Sequence, residues 1–423
     1  MDFNTDLSIV VFIIVLALII SEKVNRTVAA LVGASIVVAA HVLNGEQALE
    51  HIDFNTIGVL IGMMIIVGIV KNTGIFEYLA IFAAKKAKGD PWRIIVGLCL
   101  ITAITSAFLD NVTTVLLIVP MTFVITQTLV LDPIPFLIPE ILSANIGGTA
   151  TLIGDPPNIM IGSAANLDFM DFIVNLTPII VVVFIATFAV LKFTYRNKLN
   201  VSEDKKIQIT QMNEKLCIKN AVLLKKCIVI LILVVLGLFF HAELGYSSAA
   251  VALTGASLLL LISGESIDEA MMSVEWPTIF FFGGLFILVG ALEEVGIIDA
   301  LSKFVMSITD HNLLLTGILI IWFSAIFSAF LDNIPFVATL IPLIQAMGNS
   351  GVNVTPLWWA VSLGACLGGN GSLIGASANV IVAGLAGKQG YEISFGRYLK
   401  AGFPLMIMSI VLSTVYLVVF YLI

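Results

Sequence analysis

The chain has 423 residues, 59% of them hydrophobic and 11% charged, with a formal net charge of −8 and a mean hydropathy of +1.10. Soluble globular chains carry about 25% charged residues, so this composition excludes a water-covered surface of the size required. The apolar residues come in long runs, such as Leu7–Ile20, Ile179–Leu191 and Leu405–Ile423. These approach the roughly 20 residues of a bilayer-crossing helix, and nothing alternates with the period of a membrane barrel. The expected fold class is therefore an all-α polytopic membrane protein.

In chain order, Met1–Asp6 has no basic n-region, and no cleaved signal peptide is expected. Spans are expected over 7–21, 26–43 and 55–72. Segment 75–88 ends in Lys85, Lys86 and Lys88 behind an apolar stretch and reads as an interfacial helix. Segment 92–130 is an apolar pair around Asp110-Asn111, which reads as a re-entrant hairpin with a polar tip. Two full spans joined by a surface loop are the alternative. A Gly/Pro-broken helix over 136–164 and a span over 174–195 complete a first repeat, residues 1–198. Nine Lys/Arg residues cluster from Lys192 to Lys226, around a cytoplasmic linker at 199–222. The second repeat, 223–423, carries a hairpin over 312–349 and a broken helix over 355–386.

The repeat is explicit. Ser106-Ala-Phe-Leu-Asp-Asn111 recurs as Ser328-Ala-Phe-Leu-Asp-Asn333, a shift of 222. Gly33, Gly62, Gly68 and Gly74 match Gly255, Gly284, Gly290 and Gly296 at that shift. Gly147-Gly-Thr-Ala-Thr-Leu-Ile-Gly154 matches Gly368-Gly-Asn-Gly-Ser-Leu-Ile-Gly375 at a shift of 221, and Asn158 matches Asn379. A nearly constant offset from Gly33 to Asn158 marks a duplication. With five crossings and one hairpin per half, an odd number, the second repeat must be inverted. An external N-terminus places Lys23, Arg26, Lys85, Lys86, Lys88, Arg93, the linker, Lys388, Arg397 and Lys400 inside, as the positive-inside rule requires. The expected location is the inner or plasma membrane, with both termini outside.

The best-matched residues are polar. A carboxylate at membrane depth costs at least about 2.5–3.5 kcal/mol on insertion scales, and one retained there usually faces a cavity and binds a cation or proton. Asp110 and Asp332 are such residues, and each also suits the N-cap of the helix that follows. A helix N-terminus is in turn an anion site. The matched breaks at 143–158 and 365–379 must line protein or a water-filled cavity, because backbone without partners is forbidden in lipid. Paired discontinuous helices point to a binding site at the midplane. The candidate set is Ser106, Asp110, Asn111, Thr113, Asn145, Gly147, Gly148, Thr149, Asp155 and Asn158, with Ser328, Asp332, Asn333, Gly368, Gly369, Asn370, Ser377 and Asn379. Na⁺ beside Asp110 and Asp332 is one expectation, H⁺ the other. The Gly-Gly pairs also suit close helix packing. The halves differ where Asp155 aligns with Ala376, Thr149 with Asn370, and Lys71-Asn72 with Glu293-Glu294.

Lys71, Glu293 and Glu294 read as helix-end anchors, and His41, His51, His241 and His311 as solvated loop-edge residues. Cys99, Cys217, Cys227 and Cys366 have no metal-like spacing and read as apolar fillers. Among them Cys366, beside Gly368-Gly369, is the cysteine near a site. No nucleophile–base set or nucleotide loop occurs, so neither an enzyme nor a nucleotide-driven pump is expected of this chain, and no cofactor beyond the coupling ion.

These motifs resemble the ion transporter superfamily and, within it, the arsenite pump/P protein permeases, with NhaD-type antiporters and divalent anion/sodium symporters as relatives. The resemblance spans nearly the whole chain. It implies a homodimer in the lipid bilayer, each protomer with a scaffold part and a moving part, a small inorganic ion as substrate, and room for a separate ATPase partner; nucleic acid is not expected. The sodium-coupled dicarboxylate relatives carry Ser-Asn-Thr at the hairpin tips. Here Asp110-Asn111-Val112 and Asp332-Asn333-Ile334 stand there. The extra carboxylates oppose a dianion. The expected function is thus ion-coupled secondary transport by alternating access, with proton-coupled export of arsenite or antimonite leading. A Na⁺/H⁺ antiporter and an anion carrier or channel are the alternatives.

Overall fold

The computed structural model describes residues 3–21, 23–195, 199 and 201–422. The expected repeat boundary at residue 198, and Arg196 and Lys198 of the basic cluster, lie outside the described residues. The described residues are helical, without a strand. The first half contains α1 (Phe3–Ser21), α2 (Arg26–Ala39), α3 (Gly45–Glu50), α4 (Phe54–Lys71), α5 (Ile75–Lys86), α6 (Pro91–Phe108), α7 (Asn111–Leu129), α8 (Ile134–Gly148), α9 (Pro156–Ala165) and α10 (Phe169–Tyr195). The linker holds α11 (Glu203–Gln211) and a 3-10 turn, Glu214–Cys217. The second half repeats the series as α12 (Ala221–Phe240), α13 (Ser248–Ser263), α14 (Ile267–Met272), α15 (Trp276–Glu294), α16 (Ile297–Ile308), α17 (Leu313–Phe330), α18 (Asn333–Asn349), α19 (Thr355–Gly368), α20 (Ser377–Lys388) and α21 (Phe395–Leu417).

Local chemistry sets these boundaries. Asp90 caps α6 by accepting the Arg93 N–H at 2.8 Å, with Pro91 in the first turn where its missing N–H costs nothing. The turns into α5 and α16 pass through Gly74 and Gly296, at φ 80° and 76°, a left-handed conformation that a side chain resists. That explains why both glycines survive in the repeat. The span expected over 26–43 is shorter than read: α2 stops at Ala39, His41 turns the chain with φ 57°, and α3 starts with a capping box between Asn44 and Gln47.

Among the described residues, nine helices are long and apolar enough to cross a membrane. The window share buried within the protein is 67% for α4 and 61% for α15 but 22% for α1, so the first two are central and the last peripheral. Peripheral helices expose large apolar side chains, such as Ile13, Ile185, Leu233 and Leu261, as lipid-facing helices do. The chain is a polytopic membrane protein.

The pairings are reciprocal. α2 packs on α15 and α13 on α4; α6 packs on α8 and α17 on α19. The broken helices cross over: α9 lies against α18, and α20 against α7. Polar contacts separate two ends of the molecule. Lys85–Glu214, Asp132–Arg397 and Asn72–Glu265 mark one end. His51–Glu293, Gln47–Glu294 and the Tyr416 hydroxyl on the Asn175 carbonyl mark the other. The α6–α7 pair opens at the first end and the α17–α18 pair at the second. Their polar tips meet between.

Candidate functional site

The two breaks are built alike. After α8, residues 149–155 leave the helix, and Asn158 of α9 holds them by donating to the carbonyls of Thr149 at 3.1 Å and Thr151 at 2.8 Å. After α19, Asn379 of α20 donates to the carbonyls of Gly369 at 2.8 Å and Ser372 at 2.9 Å. Each asparagine thereby satisfies backbone that the helix break has freed. Ser106 donates to the Ala144 carbonyl at 2.7 Å, and Ser328 to that of Ala365 at 2.6 Å. Those serines tie each hairpin to its neighbouring broken helix.

The Gly-Gly pairs serve close approach. A Cβ on Gly147 would stand 2.2 Å from the Ala103 carbonyl oxygen of α6, and one on Gly368 would stand 2.7 Å from the Ala325 oxygen of α17. Gly148 and Gly369 press in the same way on the carbonyls of Gly154 and Gly375. The packing reading of these glycines is therefore the one the geometry displays.

A buried amide network joins the halves. Asn111 donates to Asn145 Oδ1 at 3.1 Å, and Asn145 donates to Asn370 Oδ1 and Asn379 Oδ1, both at 2.9 Å. From the other side, Ser362 donates to Asn158 Oδ1 at 2.6 Å, with the Cys366 thiol at 3.6 Å. Thr149 donates to the Asn145 carbonyl at 2.7 Å. Such networks, once fully paired, hold a single arrangement of the core.

In front of this network lies a cavity of about 30 Å³. Its wall includes Asp110, Asn111, Asp155, Asn333 and Ser377 from the expected set, and Arg26, Glu275 and Thr278 from outside it. Asn333 Nδ2 stands 3.4 Å from both Asp155 carboxylate oxygens. Asp110 caps α7: it accepts the Thr113 N–H at 2.7 Å and the Thr113 hydroxyl at 2.5 Å. Thr113 thus belongs to the cap. Asp332 is held differently, by Arg26 at 2.5 Å and by the Ser377 hydroxyl at 3.1 Å. It lines a second, open cavity of about 330 Å³ with Arg26, Ser377, Asn25 and Ile374. Among the described residues, no group of three or more His, Cys, Asp and Glu is disposed to hold a metal ion.

Arg26, Glu275 and Glu140 escaped sequence reasoning. Arg26 aligns with Ser248 and Glu140 with Val361, so the repeat, which pointed to the other residues, is silent on them. Only the fold reveals Arg26, because the N-terminus of α2 falls beside the hairpin tip. Glu140 is buried with one oxygen on the Thr122 hydroxyl at 2.6 Å and the other without a partner.

Paired hairpin tips, paired helix breaks and a small acidic pocket between them define a membrane transporter of inverted-repeat construction. The chain belongs to the citrate transporter family (CitMHS), whose family model matches residues 16–364. It is 43% identical to an uncharacterized transporter of Mycobacterium tuberculosis over 97% of both chains. It is 41% identical to a 46 kDa membrane protein of Mycobacterium leprae over 99% of both. The human P protein is 34% identical over 96% of this chain, which spans 58% of that longer protein. Among solved structures, the Alcanivorax borkumensis YdaH transporter shares the fold with a TM-score of 0.61 over 99% of this chain and 98% of that one, at 12% identity. The resemblance read from the motifs to the ion transporter superfamily and its P protein branch agrees with these relatives.

Proposed function

We propose that the chain is an ion-coupled secondary transporter, working by alternating access, that moves a small inorganic ion against a coupling flow of H⁺ or Na⁺. The carrying observation is the cavity between the tips. At about 30 Å³ it has room for one water or one small ion. Three of its lining groups are the carboxylates Asp110, Asp155 and Glu275, against the single guanidinium of Arg26. Arg26 is itself paired to Asp332. A small cavity so lined, inside the protein, favours a proton or a cation and opposes an anion.

Sodium/proton exchange suits this lining best. Export of arsenite or antimonite, expected from the resemblance, is the second reading, supported by the amides of Asn111 and Asn333: neutral arsenous acid is not repelled there and has hydroxyls to bond. Cys366 does not line the cavity itself: its thiol is buried behind the wall, against Asn158 and Asp155. Citrate, from the family's description, is opposed both by the carboxylates and by the size of the cavity. In the same reading the chain sits in the cell membrane with both termini outside, an orientation supported by the sidedness of Lys and Arg along the chain, and pairs with a second copy as the resemblance implies.

The test is purified protein in liposomes loaded with a pH dye, given Na⁺, arsenite and citrate in turn. Proton movement on Na⁺ alone supports exchange; movement only with arsenite selects the metalloid reading. Movement only with citrate overturns the small-ion reading.

A further inference from the structure

The two tips share a sequence but not a partner. Asp110 is satisfied within its own hairpin, by Thr113. Asp332 draws its partners from elsewhere: Arg26 at the start of α2 and Ser377 at the start of α20. Arg26 also donates to the Ser377 hydroxyl at 2.8 Å, and its guanidinium lies 5.2 Å from the centre of the Phe281 ring. Three independent contacts thus fix one cation at one tip. At the corresponding places in the other half stand Ser248, for Arg26, and Pro156, for Ser377, and neither can supply such a contact. Position adds a second observation. Arg26 and Ser377 line both the 330 Å³ cavity and the 30 Å³ one, so they stand between the two.

We infer that Arg26 is the resident counter-cation of the second tip. It occupies the place at Asp332 that an exchangeable cation would otherwise take, and so leaves Asp110 as the tip that loads the coupling ion. Arg26 is a positioning and specificity residue here, not a ligand of the transported ion. The physical basis is an always-charged guanidinium held by its Nη1 against a mostly buried carboxylate oxygen, a charge-assisted contact. A mobile Na⁺ at Asp332 would have to displace a tethered cation already paid for in chain entropy, whereas at Asp110 it displaces only a hydroxyl. The inference deepens the proposed function and rests on it only for the role of Asp110.

The experiment is carbodiimide labelling of carboxyl side chains in the detergent-purified full chain, mapped by peptide mass spectrometry, in sodium chloride and in N-methylglucamine chloride. In the wild type, Asp110 is expected to label and to be protected by Na⁺, while Asp332 labels little in either salt. In Arg26→Gln, Asp332 labelling should rise at least about tenfold, as when an opposite charge in hydrogen-bond reach is withdrawn, and should become Na⁺-protected. Arg26→Lys, which keeps the charge, should stay within a few-fold of the wild type and shows that the effect is not loss of fold. Equal labelling of the two aspartates in the wild type overturns the inference, as does an unchanged Asp332 in Arg26→Gln. Labelling of Asp110 that ignores Na⁺ while Asp332 still responds to Arg26→Gln would instead fault sodium as the coupling ion and keep the counter-cation.

Discussion

The hairpin tips at Asp110 and Asp332 are the same six residues in a row, yet they do different things in the fold. In the first, the carboxylate closes on the Thr113 N–H and hydroxyl and faces the small cavity. In the second, it accepts a single Ile334 N–H at 3.3 Å and reaches out to Arg26 and Ser377. Thr113 is replaced by Pro335 in the second tip, which has no hydroxyl to offer, so Asp332 is free to look outward. A duplicated motif therefore fixes where a carboxylate sits. Unduplicated residues around it decide what it binds.

The largest effect that could break this comparison is on transport. Asp110→Asn should lower coupled flux in proteoliposomes at least about a hundredfold, near 2.7 kcal/mol of barrier, because it removes a charge from the cavity wall. Asp332→Asn should cost about tenfold or less by the same arithmetic, since its charge is already matched by Arg26. Equal losses at the two tips would mean that both load ions.

Next in size are the close contacts behind the tips. Gly147→Ala forces a methyl against the Ala103 carbonyl oxygen at 2.2 Å, and Gly368→Ala does so against Ala325 at 2.7 Å. Overpacking of this kind costs about 1–3 kcal/mol, and the first half should lose more than the second. Thermal unfolding in detergent reads the difference. A first-half variant as stable as the wild type would show that α6 can move away from α8.

Of similar size is the loss of the bridge between halves. Asn145→Ala removes the donor shared by Asn370 and Asn379 and the acceptor used by Asn111. Leaving buried amides without partners costs about 1–3 kcal/mol. Cys366→Ala, at the matching position, removes only weak thiol contacts, to Asn158, Asp155 and Thr149, and should cost about 1 kcal/mol or less by the same rule. Comparable losses would show that the network is not the asymmetric tie its geometry describes.

Much of this was legible because duplication leaves a constant offset. Hairpins, breaks and their asparagines all fell on the 221–222 shift, and the period brought together residues that no single stretch of chain relates. The offset could not say which matched residues face a ligand. Gly147, Gly148, Gly368 and Gly369 match because two backbones touch there, and Ser106 and Ser328 because they tie helices, roles a sequence shows no differently from binding. Arg26 and Glu275 reach the cavity from α2 and the cap of α15, helices that the sequence reading left as plain scaffold. His241 read as a solvated loop-edge residue, but it is buried with Nδ1 2.9 Å from the Leu238 carbonyl, because the end of α12 folds over it.

The smallest effect concerns the linker, which has no counterpart in the duplication and so tests sidedness without touching the site. Cys99, Cys227 and Cys366 are buried, and Cys217 is the partly exposed cysteine. Its segment is docked on the α4–α5 turn: Lys219 N–H donates to the Thr73 carbonyl at 3.0 Å, and Lys85 pairs with Glu214 at 2.5 Å. Partial burial, then the nearby Glu77 and Glu214, push the Cys217 thiol up from its ordinary value. Maleimide reacts with the thiolate, so labelling should be slow at neutral pH and accelerate as pH climbs past that of a free thiol. The hydrogen bond from Lys85 holds the Glu214 carboxyl below the usual carboxylate range. The tether is therefore present at neutral pH and is lost as pH falls through that lowered value. Glu214→Gln removes both a negative neighbour and the tether, and both changes favour faster labelling. If the linker is cytoplasmic, an impermeant maleimide should reach Cys217 in inside-out vesicles and not in intact cells. Labelling in intact cells would reverse the proposed orientation of both repeats and, with it, the side from which each tip is approached.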